Sequence, residues 1–157
     1  QLKCSANEAK LFITSYFTRF PKIRDYMEDT KNKIFENGFV ETLFKRRIYI
    51  NGSDSKNQKI RGFAERQAIN APIQGTAADI IKNAMIQINR VLLNYKTEAS
   101  MLLQVHDELV FEINEGNVDE IKKIILPIME NANLPMVPLK VKLKVDTGYG
   151  DNWAEAH

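Results

Sequence analysis

With 157 residues, 44% hydrophobic and 27% charged, the chain has an ordinary soluble-domain composition and length for one core or two small lobes. No apolar run approaches a membrane span, and the net charge of +2 singles out no class of partner. The single Cys4 excludes an internal disulfide and fits a reducing compartment, and two histidines are too few for a zinc or clustered-histidine centre.

The chain starts Gln1-Leu2-Lys3, with neither initiator methionine nor signal pattern, and is expected to be part of something longer. Ser5-Ala6-Asn7-Glu8 reads as a capping box. The helix after it gathers Ala9, Phe12, Ile13, Tyr16 and Phe17 on one face and ends at Phe20-Pro21. A second helix is expected from about Pro21 to Asn37, stopped by Gly38 in the left-handed conformation. Phe39 to Thr42 and Arg47 to Ile50 read as a small hairpin, and Asn51 to Asn57 as a polar loop. Next come a helix over roughly Gln58 to Asn70, a break at Ala71-Pro72, and another helix over roughly Pro72 to Leu93. Ala77, Ile80, Ile81, Ala84, Met85, Ile88 and Leu92 form its core stripe.

Strand formers resume from Met101 to Ile113, interrupted only at His106-Asp107, which reads as a tight hairpin. A helix over about Val118 to Asn131 turns Val118, Ile121, Ile124, Ile125 and Ile128 inward, with Pro127 shifting its last turn. Leu139, Val141, Leu143 and Val145 alternate with lysines as in a half-buried strand. The expected class is α+β: a helical N-terminal half, then a small antiparallel sheet (the hairpin plus the C-terminal strand) backed by a helix.

Three patterns carry chemistry. The hairpin tip, His106, Asp107 and Glu108, holds an imidazole and two carboxylates where Asn-Gly or Asp-Gly would fold more easily. Solvated turn residues are one reading; a rigid mount for a divalent cation in phosphoryl transfer is the other. From Lys45 to Arg66 seven basic residues face two acidic ones, and from Lys96 to Pro135 three face eight. A phosphodiester enzyme needs that separation, cations for the backbone and carboxylates for metal, although two solvated faces of opposite sign would look the same. Arg66, Asn70 and Gln74 recur every four residues. They read either as an exposed polar face or as donors to minor-groove acceptors, which every base pair offers. No P-loop or dinucleotide fingerprint is present, and a Ser-His-Asp or Cys-His site is hard to build from His106 and His157.

Two long motifs then stand out in order. Arg66-Gln67-Ala68-Ile69-Asn70-Ala71-Pro72-Ile73-Gln74-Gly75-Thr76-Ala77-Ala78-Asp79 is followed by Gln104-Val105-His106-Asp107-Glu108-Leu109-Val110-Phe111-Glu112. Together with the ending Gly150-Asp151-Asn152-Trp153-Ala154-Glu155-Ala156-His157, they resemble the C-terminal part of family A DNA polymerases, the bacterial DNA polymerase I family. The resemblance runs from about Leu2 onward. It implies that Asp107 is the motif C metal ligand, Glu108 its accessory acidic neighbour, and His106 a residue near the primer 3′ end. It implies minor-groove contacts for Arg66 and Gln74, supported by Asn70. Residues 1–71 would belong to fingers-associated helices and the basic hairpin, and residues 72–157 to the palm. Phe44-Lys45 departs from the Gly- or Asp-containing turn usual in the family's Arg-rich segment.

The implied partners are primer–template DNA and a deoxynucleoside triphosphate, with Mg²⁺ as cofactor, in the bacterial cytoplasm. The family's motif A aspartate and its nucleotide-binding helix fall outside this sequence, so the chain alone is expected to be catalytically silent and to self-associate through uncovered apolar surface. The rival readings are a non-catalytic DNA-binding module and a nuclease built on the acidic hairpin.

Overall fold

The computed structural model describes residues 5–96 and 98–156; Cys4 and His157 lie outside them. The described residues form two compact units, one reaching Ile73 and the other beginning at Gln74.

In the first unit, helix α1 (Ala6–Arg19) starts on the expected capping box. Ser5 Oγ accepts from the Glu8 backbone N–H at 3.3 Å, and the Glu8 carboxylate accepts from the Ser5 N–H at 2.8 Å. The Ser5 N–H, joined by the Ser5 hydroxyl donating to the same carboxylate at 2.8 Å, holds the Glu8 carboxyl below its ordinary pKa of 4.5. A lowered carboxyl pKa stabilises above the unfolded value and loses its effect as pH falls through the folded one. The first turn of α1 is therefore expected to fray on acidification below about 4.5. The Glu8 amide proton shift in NMR should follow that titration; Ser5→Ala, which keeps the Ser5 N–H and loses only the hydroxyl, should weaken the pH dependence, and Glu8→Gln should abolish it. A shift that is flat across acid pH in the wild-type chain would contradict this. The expected apolar face of α1 is present, but no residue of the helix is buried.

Helix α2 (Pro21–Asn37) begins on a proline, whose missing N–H costs nothing at a helix start, and stops at Gly38 with φ of 73°. Strands β1 (Phe39–Glu41) and β2 (Arg47–Tyr49) pair antiparallel. Their turn is organised by buried Thr42, which exchanges backbone hydrogen bonds with Lys45 and Arg46 and accepts from the Arg46 N–H through its hydroxyl. Lys45 takes the left-handed position (φ 66°), so the turn forms without the glycine that position favours. Ile34, Val40, Ile50, Ala64 and Ala68 make this unit's core.

Helix α3 runs unbroken from Gln58 to Leu92, started by Asn57, whose side chain accepts from the Lys59 N–H. The expected break at Ala71-Pro72 is absent. Proline removes one rung of the helix, a cost of about 3 kcal/mol, but Ala64, Ala68 and Ala71 fasten the helix to the core just before it. Tyr26 adds a tether by donating its hydroxyl to the Ile69 carbonyl at 2.8 Å. Partial burial pushes that phenol above its ordinary pKa of 10.0, with the Thr30 hydrogen bond acting in opposition.

In the second unit, strands β3 (Ala99–Val105) and β4 (Glu108–Ile113) form the expected hairpin, followed by helix α4 (Val118–Glu130). Ala84, Ile88 and Leu92 of the predicted stripe are buried with Ala99, Ile121, Ile125 and Ala132, while Met101, Leu109, Phe111 and Ile113 of the hairpin pack on them. Ala77, expected in the stripe, is exposed. Asn83 donates to the Ala132 carbonyl and ties α3 to the turn after α4. Pro127 lies within the last turn of α4, and its carbonyl accepts from both the backbone and side chain of Asn131.

The expected C-terminal strand is not found. Residues 139–145 join neither two-stranded sheet, and Val141 is 79% exposed. Alternation qualifies a segment for a sheet edge, but a strand also needs a neighbour with free backbone groups. The class remains α+β, with two separate antiparallel hairpins among helices.

Candidate functional site

The hairpin tip is built by pairing alone. Val105 faces Glu108 as the last pair of the ladder, leaving His106 and Asp107 as a two-residue connection. His106 takes the left-handed conformation with φ of 53°. A residue with a Cβ gives up about 1–2 kcal/mol there compared with the right-handed region. Gln104 offsets part of that cost by donating its side-chain amide to the His106 carbonyl at 2.9 Å. Gln104 thus braces the tip, a role not read from the sequence; its place two residues before His106 was the available signal.

A bulge at Leu102 shifts the pairing between Met101 and Leu103 and changes which residues face the core. Beyond it Gln104 shares a face with core-packed Leu109, while Leu103, Val105, Glu108 and Val110 share the other. Glu108 therefore projects away from the core, half-buried, beside the exposed Asp107. The hairpin brings His106, Asp107 and Glu108 together as expected. The shallow depression lined by Glu98, Ser100, Glu112 and Glu115 lies at the opposite end of the hairpin.

Arg66 and Asn70 are exposed and four residues apart on α3, hence on one face of the helix within the first unit. The Arg66 guanidinium lies back along α3 beside Gly62, where a Cβ would stand 3.6 Å from Nη1. Tyr26 fixes the carbonyl next to Asn70, a tether from 43 residues away for which the sequence carries no signal. Gln74, also exposed, opens the second unit.

Asp107 and Glu108 offer hard oxygen donors of the kind Mg²⁺ prefers. Two carboxylates fill only part of its octahedral shell, and no group of three or more metal-binding side chains gathers among the described residues. The donor chemistry of the two carboxylates fits part of a magnesium shell, and the remaining oxygens would have to come from outside the tip. No helix among the described residues is long and apolar enough to cross a membrane.

Comparison with known proteins agrees with the motif reading. The chain is 47% identical to DNA polymerase I of Rhizobium leguminosarum, covering 100% of this chain and 16% of that protein. It is 46% identical to DNA polymerase I of Pseudomonas aeruginosa, over 100% of this chain and 17% of the relative. The chain thus spans about a sixth of the length of these curated relatives. Among solved structures it superposes on the POL domain of Pol1 from M. smegmatis, in complex with DNA primer-template and dNTP. The TM-score is 0.91 at 44% identity, over 99% of this chain and 27% of that one. The family model for DNA polymerase family A matches residues 1–155, and the chain belongs to that family.

Proposed function

We propose that this chain is the portion of a bacterial, cytoplasmic DNA-directed DNA polymerase that supplies one half of its nucleotidyl-transfer site. The observation that carries the reading is the pair of carboxylates, Asp107 and Glu108, at and beside a rigid two-residue turn. The likeness to a polymerase domain held with primer-template and dNTP supports DNA and a deoxynucleoside triphosphate as its partners. In this reading residues 1–71 belong to the fingers and residues 72–157 to the palm.

Asp107 is the metal ligand, reaching from an exposed position into the space where primer and nucleotide meet. Glu108 adds negative charge that keeps the cation seated. His106, held left-handed, turns its imidazole toward the primer 3′ end. Arg66 and Gln74 donate to minor-groove acceptors at the terminal base pair, with Asn70 in support. Such contacts sense pairing geometry without reading sequence, since every pair offers N3 or O2 acceptors there. When bound, Mg²⁺ assists deprotonation of the primer hydroxyl and neutralises charge on the leaving pyrophosphate.

One carboxylate cluster cannot clamp two ions, so the chain alone is expected to be silent in primer extension with labelled nucleotide and Mg²⁺. Templated incorporation above an Asp107→Ala preparation would refute the silence. The polymerase reading itself is tested by a hybrid in which the chain replaces the matching segment of the Rhizobium leguminosarum enzyme. The hybrid should extend primers; a folded but inactive hybrid would overturn the reading.

A further inference from the structure

Pro72 lies inside α3 with no N–H to offer the Ala68 carbonyl, and its ring crowds that same oxygen. Sharp helix bends, of about 20° or more, are found mostly at prolines. With its side chains a helix is about 10–12 Å across, so a bend of about 20° swings a side-chain tip by about 2 Å. Hydrogen bonds to a ligand do not survive a shift of that size. Arg66 and Asn70 stand just ahead of this proline, exposed and on one face of the helix.

A long-range bond acts on this turn. Tyr26 of α2 donates its hydroxyl to the Ile69 carbonyl at 2.8 Å. That oxygen belongs to the planar peptide whose N–H is Asn70's, so the bond fixes the direction in which the Asn70 side chain leaves the helix. Thr30, buried one turn further along α2, donates to the Tyr26 carbonyl at 2.7 Å and steadies the tyrosine's own turn. Burial does not force the contact on Tyr26. The residue is only half-buried, water would satisfy its hydroxyl as well, and a phenylalanine ring would fill the same space. The hydroxyl is spent instead on the peptide that bears Asn70, at the turn the proline loosens.

We propose that Tyr26 is a positioning residue for base-pair checking: it holds Asn70, beside Arg66, in the orientation that meets the minor-groove edge of the primer's terminal pair. The inference rests on the polymerase reading above, and the experiment separates the two. The Rhizobium leguminosarum hybrid is given primers ending in a matched or a mismatched pair, and single-turnover incorporation is followed on each. Tyr26→Phe should slow matched extension about fivefold and mismatched extension by less than about twofold, the worth of one hydrogen bond felt only where a correct pair is gripped. The variant keeps every carbon of the ring, and circular dichroism checks its fold. Ile34→Val, which weakens the core of the same unit, should leave the matched-to-mismatched ratio unchanged. With Asn70→Ala already in place, Tyr26→Phe should move the ratio no further. Pro72→Ala, which returns the missing rung, should make the hydroxyl dispensable and bring Tyr26→Phe back within about twofold of wild type. An active hybrid whose ratio is unmoved by Tyr26→Phe, or moved equally when Asn70→Ala is present, overturns the positioning role and leaves the polymerase reading standing. A folded but inactive wild-type hybrid overturns that reading, and this inference with it.

Discussion

Asp107→Ala is expected to slow single-turnover incorporation by the hybrid polymerase about a thousandfold at saturating nucleotide, with little change in primer–template affinity. The residue is exposed on a two-residue turn, so its truncation opens no cavity and strands no buried partner. Surface changes of that kind stay within about 0.5 kcal/mol of wild-type stability. The loss is therefore chemical, and Asp107→Asn, which keeps the shape and removes the charge, should match it. Glu108→Gln should cost only about 10- to 100-fold, as expected of a group that supports a ligand without being the main one. The measurement is rapid-quench incorporation across a Mg²⁺ titration, with circular dichroism as the folding control. A folded Asp107→Ala hybrid within tenfold of wild type would remove Asp107 from the metal site.

The short-range features of each unit were legible because their signals are local. The capping box at Ser5, the glycine stop at Gly38 and the apolar run on either side of His106-Asp107 each act over a few residues, and each stands where expected. What escaped the sequence depends on distant partners. Pro72 obeys a local rule that predicts a break, yet packing of Ala68 and Ala71 and the Tyr26 tether keep α3 continuous. The alternation from Leu139 to Val145 obeys the rule for a strand, but β3 and β4 pair with each other and the segment joins neither.

The apolar face of α1 shows the same limit, since periodicity marks which residues share a face and not what covers it. At the site, residue types named the tip, but the bulge at Leu102 decides which face Gln104 takes. A leucine pair at 102–103 carries no mark of a bulge, and Gln104's support of the turn follows from that same shift in pairing. Lys45 and His106 share one lesson. Both hold positive φ without being glycine, so a turn read from glycine alone misses them.

Ile88→Ala should have the largest effect on folding, about 3–4 kcal/mol, seen as a fall in the urea midpoint by circular dichroism. Ile88 is fully buried on α3 among Ala84, Leu92, Ala99, Ile121 and Ile125. Part of the loss is the transfer energy of the deleted carbons, and the rest depends on how far the neighbours can close the space. Here they close it poorly, because Ala84 on α3, Ala99 on β3 and Ala132 in the turn after α4 are already minimal side chains. A loss of that size is a large share of the 5–15 kcal/mol typical of a domain. Ile86→Ala removes the same atoms from a position that is 53% exposed and should change stability by no more than about 0.5 kcal/mol. Equal losses in the two variants would show that the buried cluster does not hold this unit together. The consequence reaches the candidate site, because Met101, Leu109, Phe111 and Ile113 seat the His106–Asp107 hairpin on this same cluster. Placement errors of about 1 Å cost catalysis on the order of a hundredfold. The hybrid with Ile88→Ala should therefore lose incorporation rate well below its melting temperature, whereas Ile88→Val, costing about 1 kcal/mol, should keep it.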